Sequence, residues 1–484
     1  MKRSYYSNQK IVILSFFILL AQTLLICQAQ NDIWKRYTDA GNEEQANCRY
    51  NQAEKLFLLA VKEAQKMGQY DPILATSLNN IGMLYFYLSK YKQAEPLLKQ
   101  ALAIDEKSLT SENPNIACDL NNIGELYVKQ GKYVEAETLF NRALAIDEKA
   151  FGLNDPTVAR DLNNLGDLYV KQVSSINENP FGLNNANGNT RLNKCKKLYE
   201  SLNKIRQAES LFRQALAINE KALSLNNPTV ATNLNNLGEL YVKQCKYVEA
   251  ESLFNRALAI DKKAFGSNNP TVARDLNNLG LLYDNQDKYK QAESLYKQAI
   301  AIDEKAFGSD NPVLDGFLNN LALLYDRQDK YKQAESLYKR AIAIDEKAFG
   351  FDNPDLAGRL NSLGSLYDRH DKFKQAESLY KRAIAIDEKA FGSDNPVLAG
   401  YLSSLGDLYS RHGNYSEAEP FYKRALAIYE KTFGPDNPSY VVIGLKNYAR
   451  LLRKLNKVSE AESLETRANK ILDQFQQNKN TKLP

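Results

Sequence analysis

Neighbouring carboxylates are the first residues in this sequence that could carry out chemistry. Asp303 and Glu304 stand side by side, and two carboxyl groups held close together can act as general acid and general base. The segment Ile302-Asp303-Glu304-Lys305 nevertheless recurs in most copies of a 42-residue repeat. Because a catalytic pair would not be needed in every copy, we interpret these carboxylates as part of a solvated helix face.

Histidine and cysteine supply most catalytic bases, nucleophiles and metal ligands, and both are scarce. His370 and His412 occupy equivalent positions near the end of a repeated helix, where other copies have glutamine. We therefore expect surface or helix-end residues there, and neither a base nor a ligand. Four cysteines follow the N-terminal segment: Cys48, Cys118, Cys195 and Cys245. They form no CxxC pair and do not recur with the repeat, which favours isolated buried thiols over a zinc site.

The sequence motifs of catalysis are also missing. No GxSxG, HExxH, P-loop or GxGxxG motif occurs in the context that each one requires. The sequence therefore predicts a protein that is not an enzyme and that has no cofactor, no metal and no small-molecule substrate.

Repeated polar side chains indicate binding instead of catalysis. Paired asparagines recur on one helix of the repeat, and an amide both donates and accepts hydrogen bonds, so it can bind a peptide backbone of any sequence. In several copies a lysine or arginine follows on the same helix. The residues that we expect to line a binding groove are Asn121, Asn122, Asn163, Asn164, Asn235, Asn236, Asn277, Asn278, Asn319, Asn320, Lys129, Lys171, Lys243, Arg327 and Arg369. The alternative is that the asparagines are simply polar groove residues.

A repeated helical hairpin positions these side chains. The repeat is marked by Leu-Asn-Asn-Leu/Ile-Gly or a variant of it, which ends at Gly82, Gly124, Gly166, Gly238, Gly280, Ala322, Gly364 and Gly406. The spacing is 42 residues except for one gap of 72, which equals one repeat plus an insertion of 30. With an atypical first and last copy, the sequence contains ten repeats. A fixed period in this range predicts a solenoid, in which each repeat buries its apolar face against its neighbours.

The repeat from Asn269 to Gly308 shows how the sequence specifies two helices of about 17 residues each. Asn269 caps the first helix, and Pro270 suits its first position. Gly308 ends the second helix, where we expect the left-handed conformation. At about 100° per residue, one apolar stripe forms on each helix. The stripes contain Leu276, Leu279, Gly280 and Tyr283 on the first helix and Ala292, Leu295, Tyr296 and Ala299 on the second.

This signature resembles the tetratricopeptide repeat (TPR). Leu237-Gly238, Tyr241, Ala250, Phe254 and Ala257 stand in the order of that family's motif. The 42-residue spacing, the asparagine pair and the Phe-Gly-x-Asp/Asn-Asn-Pro link are similar to kinesin light chain-type repeats, from about residue 33 to 476. The resemblance implies an all-α TPR solenoid, a right-handed superhelix of about ten antiparallel helix pairs. It also implies a concave groove that binds an extended peptide or a helix of a partner.

The sequence departs from true kinesin light chains before its first repeat. Those proteins carry a heptad coiled coil there, for the motor heavy chain, whereas this sequence has a leader with a basic start and an apolar run from Ile11 to Ile26. Cys27-Gln28-Ala29 suits cleavage of a secretory signal. An uncleaved membrane anchor and a lipoprotein attached through Cys27 are the alternatives. We expect a signal peptide at 1–29, a TPR solenoid at 30–476 with its insertion at about 173–203 in the fourth repeat, and a disordered tail at 477–484.

The total charge gives no indication of a nucleic-acid partner. The formal net charge is +5, and the leader contributes three of the lysines and arginines and no acid, so +2 remains without it. The sequence thus predicts an exported, non-enzymatic scaffold for a protein or peptide partner, which would contact a membrane only if the leader is uncleaved. The alternatives are a structural component of an envelope assembly, or a cytosolic kinesin light chain-like cargo adaptor if the leader is misinterpreted.

Overall fold

The structure is a computed structural model that describes residues 30–47, 49–177, 190–437 and 440–480. Within these ranges, the side chains of 174–202 and 475–480 are not described. The described residues form α-helices joined by short turns, and they contain no strand. The all-α fold expected from the sequence is therefore confirmed. The expected signal peptide at 1–29 lies outside the described residues.

The helices alternate between the first and the second arm of ten hairpins, and repeat n consists of helices α(2n−1) and α(2n). The first arms are α1 (30–46), α3 (Pro72–Tyr87), α5 (Pro114–Lys129), α7 (Pro156–Asn177), α9 (Pro228–Lys243), α11 (Pro270–Asp284), α13 (Leu314–Arg327), α15 (Pro354–Arg369), α17 (Pro396–Arg411) and α19 (Tyr440–Lys454). The second arms are α2 (Tyr50–Gln65), α4 (Tyr91–Ser108), α6 (Tyr133–Phe151), α8 (Thr190–Ala222), α10 (Tyr247–Phe265), α12 (Tyr289–Phe307), α14 (Tyr331–Phe349), α16 (Phe373–Phe391), α18 (Tyr415–Phe433) and α20 (Val458–Asn480).

The described residues form two compact bodies, divided between Ile123 and Gly124. Helices α1 to α4 belong to the first body, and α6 to α20 belong to the second. The boundary falls within α5, after Ile123.

Glycine and an aromatic ring pack the two arms of a hairpin together. A Cβ atom added at Gly280 of α11 would lie 2.7 Å from Cε1 of Tyr296 on α12. Leu276, Leu279 and Tyr296 are buried, as their positions on the apolar stripes predict. The marker glycine therefore lets the helices approach until the ring rests on the backbone.

The helix ends follow the sequence, with one difference at the glycine. Asn269 Oδ1 accepts a hydrogen bond of 2.9 Å from the backbone N–H of Thr271, which confirms the expected cap. Gly308 ends α12 with φ 90° and ψ 165°. This is not the left-handed helical conformation that the sequence predicts. It is an extended conformation with positive φ that glycine alone adopts readily, so this position requires glycine more strictly than expected.

Tyrosine hydroxyls join several repeats to the one before. Tyr283 of α11 donates a 2.8 Å hydrogen bond to Glu251 of α10, and Tyr325 of α13 donates one of 2.9 Å to Glu293 of α12. Lys330 also lies 3.3 Å from the Glu293 carboxylate. The ring of the motif tyrosine is thus half-buried in Tyr283 and buried in Tyr325, and its polar end bonds to a neighbouring repeat.

The insertion lengthens the fourth hairpin at both arms. Helix α7 continues to Asn177, and α8 begins at Thr190 and has 33 residues. This agrees with the expectation that the end of the insertion extends the second helix, while 178–189 lie outside the described residues. At the other end of the chain, α20 continues to Asn480, past the expected array boundary at 476, and 481–484 are not described.

Candidate functional site

An open cleft of about 500 Å³ crosses helices α7, α9 and α11, the first arms of repeats four to six. Its walls are rich in amides, hydroxyls and charged groups, which belong to Arg160, Asn163, Asn164, Asp167, Asn219, Thr229, Thr232, Asn233, Asn236, Asp261, Thr271 and Arg274. Three of the predicted groove asparagines, Asn163, Asn164 and Asn236, are among them. The structure therefore brings part of the predicted set together at one place.

One arginine stands on each side of this cleft. Arg160, Thr232 and Arg274 occupy one repeat position on successive first arms, so the cations flank a hydroxyl. Both guanidinium groups are about half exposed, and each lies near buried aspartates. The sequence analysis did not include these arginines among the groove residues. Their signal was available, because they lie three residues before the asparagine pair in their repeats.

The asparagines divide into buried and partly exposed side chains. Asn121, Asn235 and Asn278 are buried, with 3–6% of their surface exposed. Asn235 donates a 2.7 Å hydrogen bond to Asp275, and Asn278 donates one of 3.1 Å to Glu239. These two amides therefore join repeats within the molecule, which is a structural role.

Partly exposed asparagines also bond between repeats. Asn122 donates to Asn79 at 2.9 Å within the first body, and Asn320 donates to Asn277 at 3.0 Å within the second. Asn319 is also partly exposed. Asn163 differs in that its amide oxygen is buried at the cleft and has no hydrogen-bond partner among the described residues. That oxygen is an acceptor that a ligand could satisfy.

The predicted lysines lie exposed near the carboxylates of the groove. Lys129, Lys171 and Lys243 are all exposed, and Lys129 Nζ lies 3.9 Å from Asp355 Oδ1. Lost hydration raises the pKa of Asp167 to about 7, against the opposing effect of Lys171. Cations and poorly hydrated carboxylates thus alternate on this face, as the sequence pattern indicates.

The predicted arginines belong to a ladder of ion pairs. Arg327 lies 3.1 Å from Asp284 of the preceding repeat, and Arg369 pairs with Asp326 in the same way. Arg411 continues the series one repeat further, on Asp368. Arg327 and Arg369 are about half exposed, but their guanidinium groups already have partners within the protein.

The interpretation of Asp303 as a solvated residue is wrong. Asp303 is fully buried, and neither of its carboxylate oxygens has a partner among the described residues. Lost hydration raises its pKa to about 6. Glu304 does lie toward solvent and bonds to Arg340 at 2.5 Å. At the same repeat position, Asp345 lies 2.9 Å from Arg359 Nε on the next first arm, so this position faces the following repeat.

The histidines and cysteines lie outside the cleft. His370 and His412 are exposed and follow the ends of α15 and α17, as predicted, and their rings pack on Tyr331 and Phe373. Neither described cysteine is a buried thiol, because Cys118 is partly exposed and Cys245 is exposed at the tip of a turn with φ 58°. The side chains of Cys48 and Cys195 fall outside the described residues.

The residues that the structure describes include no group of three or more histidines, cysteines or acids that could hold a metal ion. None of the described helices is long and apolar enough to cross a membrane.

A family model described as tetratricopeptide repeat matches most of the sequence. The matched ranges are 39–107, 115–172, 229–305, 316–389, 360–431 and 397–474. A second tetratricopeptide repeat model matches 197–229, the fourth second arm and its link to the next repeat. No curated protein matches the sequence.

Several solved structures have a similar arrangement of helices. One contains the nearly identical TPR-like repeats of a protein named as a kinesin light chain in Podosopora anserina, with 23% identity, 43% of this chain and 98% of that chain covered, and a TM-score of 0.38. BtubC (BKLC) from P. vanneervenii has 22% identity, with 49% and 92% covered and a TM-score of 0.41. Rap protein, complexed with competence and sporulation factor, has 16% identity, with 89% and 99% covered and a TM-score of 0.46.

Proposed function

We propose, from the premise that the chain belongs to the tetratricopeptide repeat family, that it is an exported scaffold whose cleft on repeats four to six holds a partner protein. Proteins of this family are generally non-enzymatic, and their usual partners are proteins or peptides. The segment bound in the cleft would be an extended peptide or a helix.

The observation that supports this proposal most is the composition of the cleft. An opening of about 500 Å³ is large enough for several residues of an extended chain. Asn163, Asn164 and Asn236 present amides along it, and the unpartnered oxygen of Asn163 can accept a backbone N–H. Arg160 and Arg274 add a cation at each side. Such a surface suits a polar backbone better than an apolar small molecule.

Export is the second part of the proposal, and the leader supports it. Lys2, Arg3 and the apolar run that follows have the order of a secretory signal, with cleavage after Ala29. N-terminal analysis of the protein from its native host should then begin at Gln30. Recovery of intact Met1 from the cytosol would reject export and would favour the adaptor alternative.

The binding test replaces only asparagines that line the cleft. Partners are first captured from the native envelope with the wild-type protein and identified by mass spectrometry. The triple variant Asn163→Ala, Asn164→Ala, Asn236→Ala should then weaken binding at least about tenfold, because each hydrogen bond contributes about 0.5–1.5 kcal/mol. The far-ultraviolet spectrum should remain helical, since alanine is the better helix former.

The matched control changes the same repeat positions outside the cleft. Asn319→Ala with Asn320→Ala should leave the affinity within about twofold, because neither residue lines the cleft. Equal weakening by the control would move the site toward repeat seven. Full binding by the triple variant would place the partner elsewhere on the surface and refute the cleft.

A further inference from the structure

Buried aspartates stand in pairs at three joints between repeats. A joint is the contact between the second arm of one repeat and the first arm of the next. It places the aspartate of the Ile-Asp-Glu/Lys-Lys segment, on the second arm, against the residue 14 positions later on the first arm. We call these two residues the joint pair. Three joint pairs consist of two aspartates, namely Asp105 with Asp119, Asp147 with Asp161, and Asp261 with Asp275. All six side chains are buried, with at most 4% exposed.

Other joints show how close the members of a pair lie. At the joint between repeats four and five, Asn219 donates a 2.8 Å hydrogen bond to Asn233. At the joint between repeats seven and eight, Arg359 Nε lies 2.9 Å from Asp345. The same register therefore places two side chains in direct contact, whether the pair is two amides or an ion pair.

Two of the three aspartate pairs make the same contact, and Asp105 with Asp119 has the same register. Arg160 Nη2 lies 3.1 Å from Asp147 Oδ2 and 3.3 Å from Asp161 Oδ1, so one guanidinium group touches both carboxyl groups. The carboxyl groups of Asp147 and Asp161 lie within hydrogen-bonding reach of each other, and so do those of Asp261 and Asp275. A hydrogen bond between two carboxyl groups requires a proton on one of them, since an ionised carboxylate is only an acceptor.

We propose that each of these three aspartate pairs shares one proton near neutral pH and that the joint between the repeats loosens when the proton is lost. Two adjacent carboxylates without water would repel each other, and the helices that carry them would separate to admit water. The joint of Asn219 and Asn233 has no proton to lose. The chain thus contains both titrating joints and a neutral one of the same shape.

Charged groups around the pairs raise the aspartate pKa at all three joints and are opposed by other groups at two of them. Asp119 faces Asp105 and Glu106, and lost hydration with these charges raises its pKa to about 8. The pKa of Asp147 rises to about 7 through lost hydration and Asp161, with Asp155 adding and Arg160 opposing. The pKa of Asp275 rises to about 7 for the same reason with Asp261, while Asn235 and Arg274 oppose.

The sign of the effect is opposite to ordinary acid denaturation. In the unfolded chain an aspartate has a pKa near 4, so the folded pair binds a proton that the unfolded chain has already lost. The stabilisation is fully present below that value and is lost as the pH rises through about 7, or about 8 for Asp119. Each joint should therefore be tightest in mild acid.

Hydrogen exchange of the full chain can compare titrating and neutral joints directly. The amides of 158–162 in α7 and 272–276 in α11 report the aspartate joints, and 230–234 in α9 report the asparagine joint. Between pH 5 and 8, after correction for intrinsic exchange, local opening of α7 and α11 should increase at least about tenfold more than that of α9. An equal response of all three segments would overturn the proposal.

Exchanging the aspartate pair and the asparagine pair by substitution tests whether the aspartates cause the pH response. Asp147→Asn with Asp161→Asn copies the natural asparagine joint and should abolish the pH response of α7. Asn219→Asp with Asn233→Asp should create that response in α9. A response that stays with the segment and does not follow the aspartates would contradict the proposal.

A measurement without substitutions covers the case in which a variant fails to fold. Carboxyl carbon shifts of aspartate in the wild-type protein should include resonances that titrate near pH 7 and not near pH 4. Complete ionisation of every aspartate by pH 6 would refute proton sharing.

Discussion

Repeats four and five share one hairpin with repeats seven to nine, but the two groups connect their first arms with different chemistry. In the earlier repeats the motif tyrosine is followed by valine and lysine, and Val242 is buried while Lys243 is exposed. In the later repeats it is followed by aspartate or serine and then arginine, and Asp368 pairs with Arg411. The contrast shows that one backbone can use its cations in two ways. They face the groove in the earlier repeats, and they hold repeats together in the later ones.

The aromatic ring on the second arm changes as well. Repeats four and five have Phe212 and Phe254, whereas repeats six to nine have tyrosine. Tyr422 donates its hydroxyl to Asp407, but the hydroxyls of Tyr296 and Tyr338 are buried without a partner among the described residues. The tyrosine hydroxyl therefore forms a hydrogen bond in some repeats, whereas in others the residue contributes only a large ring.

The largest expected effect concerns the packing between the two arms of a hairpin, which we compare in repeats six and seven. Gly280→Ala should destabilise the protein by about 1–3 kcal/mol, because the new Cβ would overlap the ring of Tyr296. Urea unfolding at fixed pH measures the change. Repeat seven has Ala322 naturally, so Ala322→Gly should cost only about 0.5–1 kcal/mol through backbone freedom. If both changes cost the same, ring contact does not distinguish these repeats.

A smaller effect is expected for the ion pairs of the later repeats. Arg411→Gln should cost about 1 kcal/mol, because Asp368 is buried and would lose its cation, while the half-exposed arginine limits the loss. Burial already raises the pKa of Asp368 and Arg411 lowers it, so the substitution should raise that pKa further. Urea unfolding at pH 6 and 8 measures both the cost and its dependence on pH.

The control for this ion pair is a double substitution. Adding Asp368→Asn to Arg411→Gln should recover part of the loss, because the amide has no buried charge. A double variant as unstable as the sum of its single changes would show that the two groups do not interact.

The smallest expected effect belongs to a substitution that makes repeat six resemble repeat five. Tyr296→Phe should leave the free energy of unfolding unchanged or increase it by less than about 1 kcal/mol, since the hydroxyl has no partner among the described residues. Tyr422→Phe removes a hydrogen bond to Asp407 and should be destabilising by a similar amount. Calorimetry of both variants gives the comparison, and opposite signs are the expected result.

Features that depend on one repeat alone were predictable from the sequence. Leu276, Gly280 and Tyr296 are where the helical period places them, and Asn269 caps its helix because capping needs only neighbouring residues. The burial of Asp303 was missed because it depends on the helix of the following repeat. A motif that recurs can be structural without being solvated.

The joint pairs were missed because they form between repeats, although the sequence held a signal. Where Asp147 and Asp161 are acids, Asn219 and Asn233 are both amides, so the two positions change together between these two copies. Comparing residues 14 positions apart across repeats would have found this contact. For the groove, residue type alone could not separate buried Asn235 from partly exposed Asn236, which differ by one helical step.

The polar contacts between repeats help to determine how far unfolding spreads along the array. In a one-dimensional nearest-neighbour description, each repeat has an intrinsic folding term and each joint a coupling term. Gly280 with Tyr296 contributes to the intrinsic term, whereas Tyr283 with Glu251 contributes to the coupling. Salt and pH then act mainly on the coupling. Changing them should alter the number of repeats that unfold together more than it alters the stability of any single repeat.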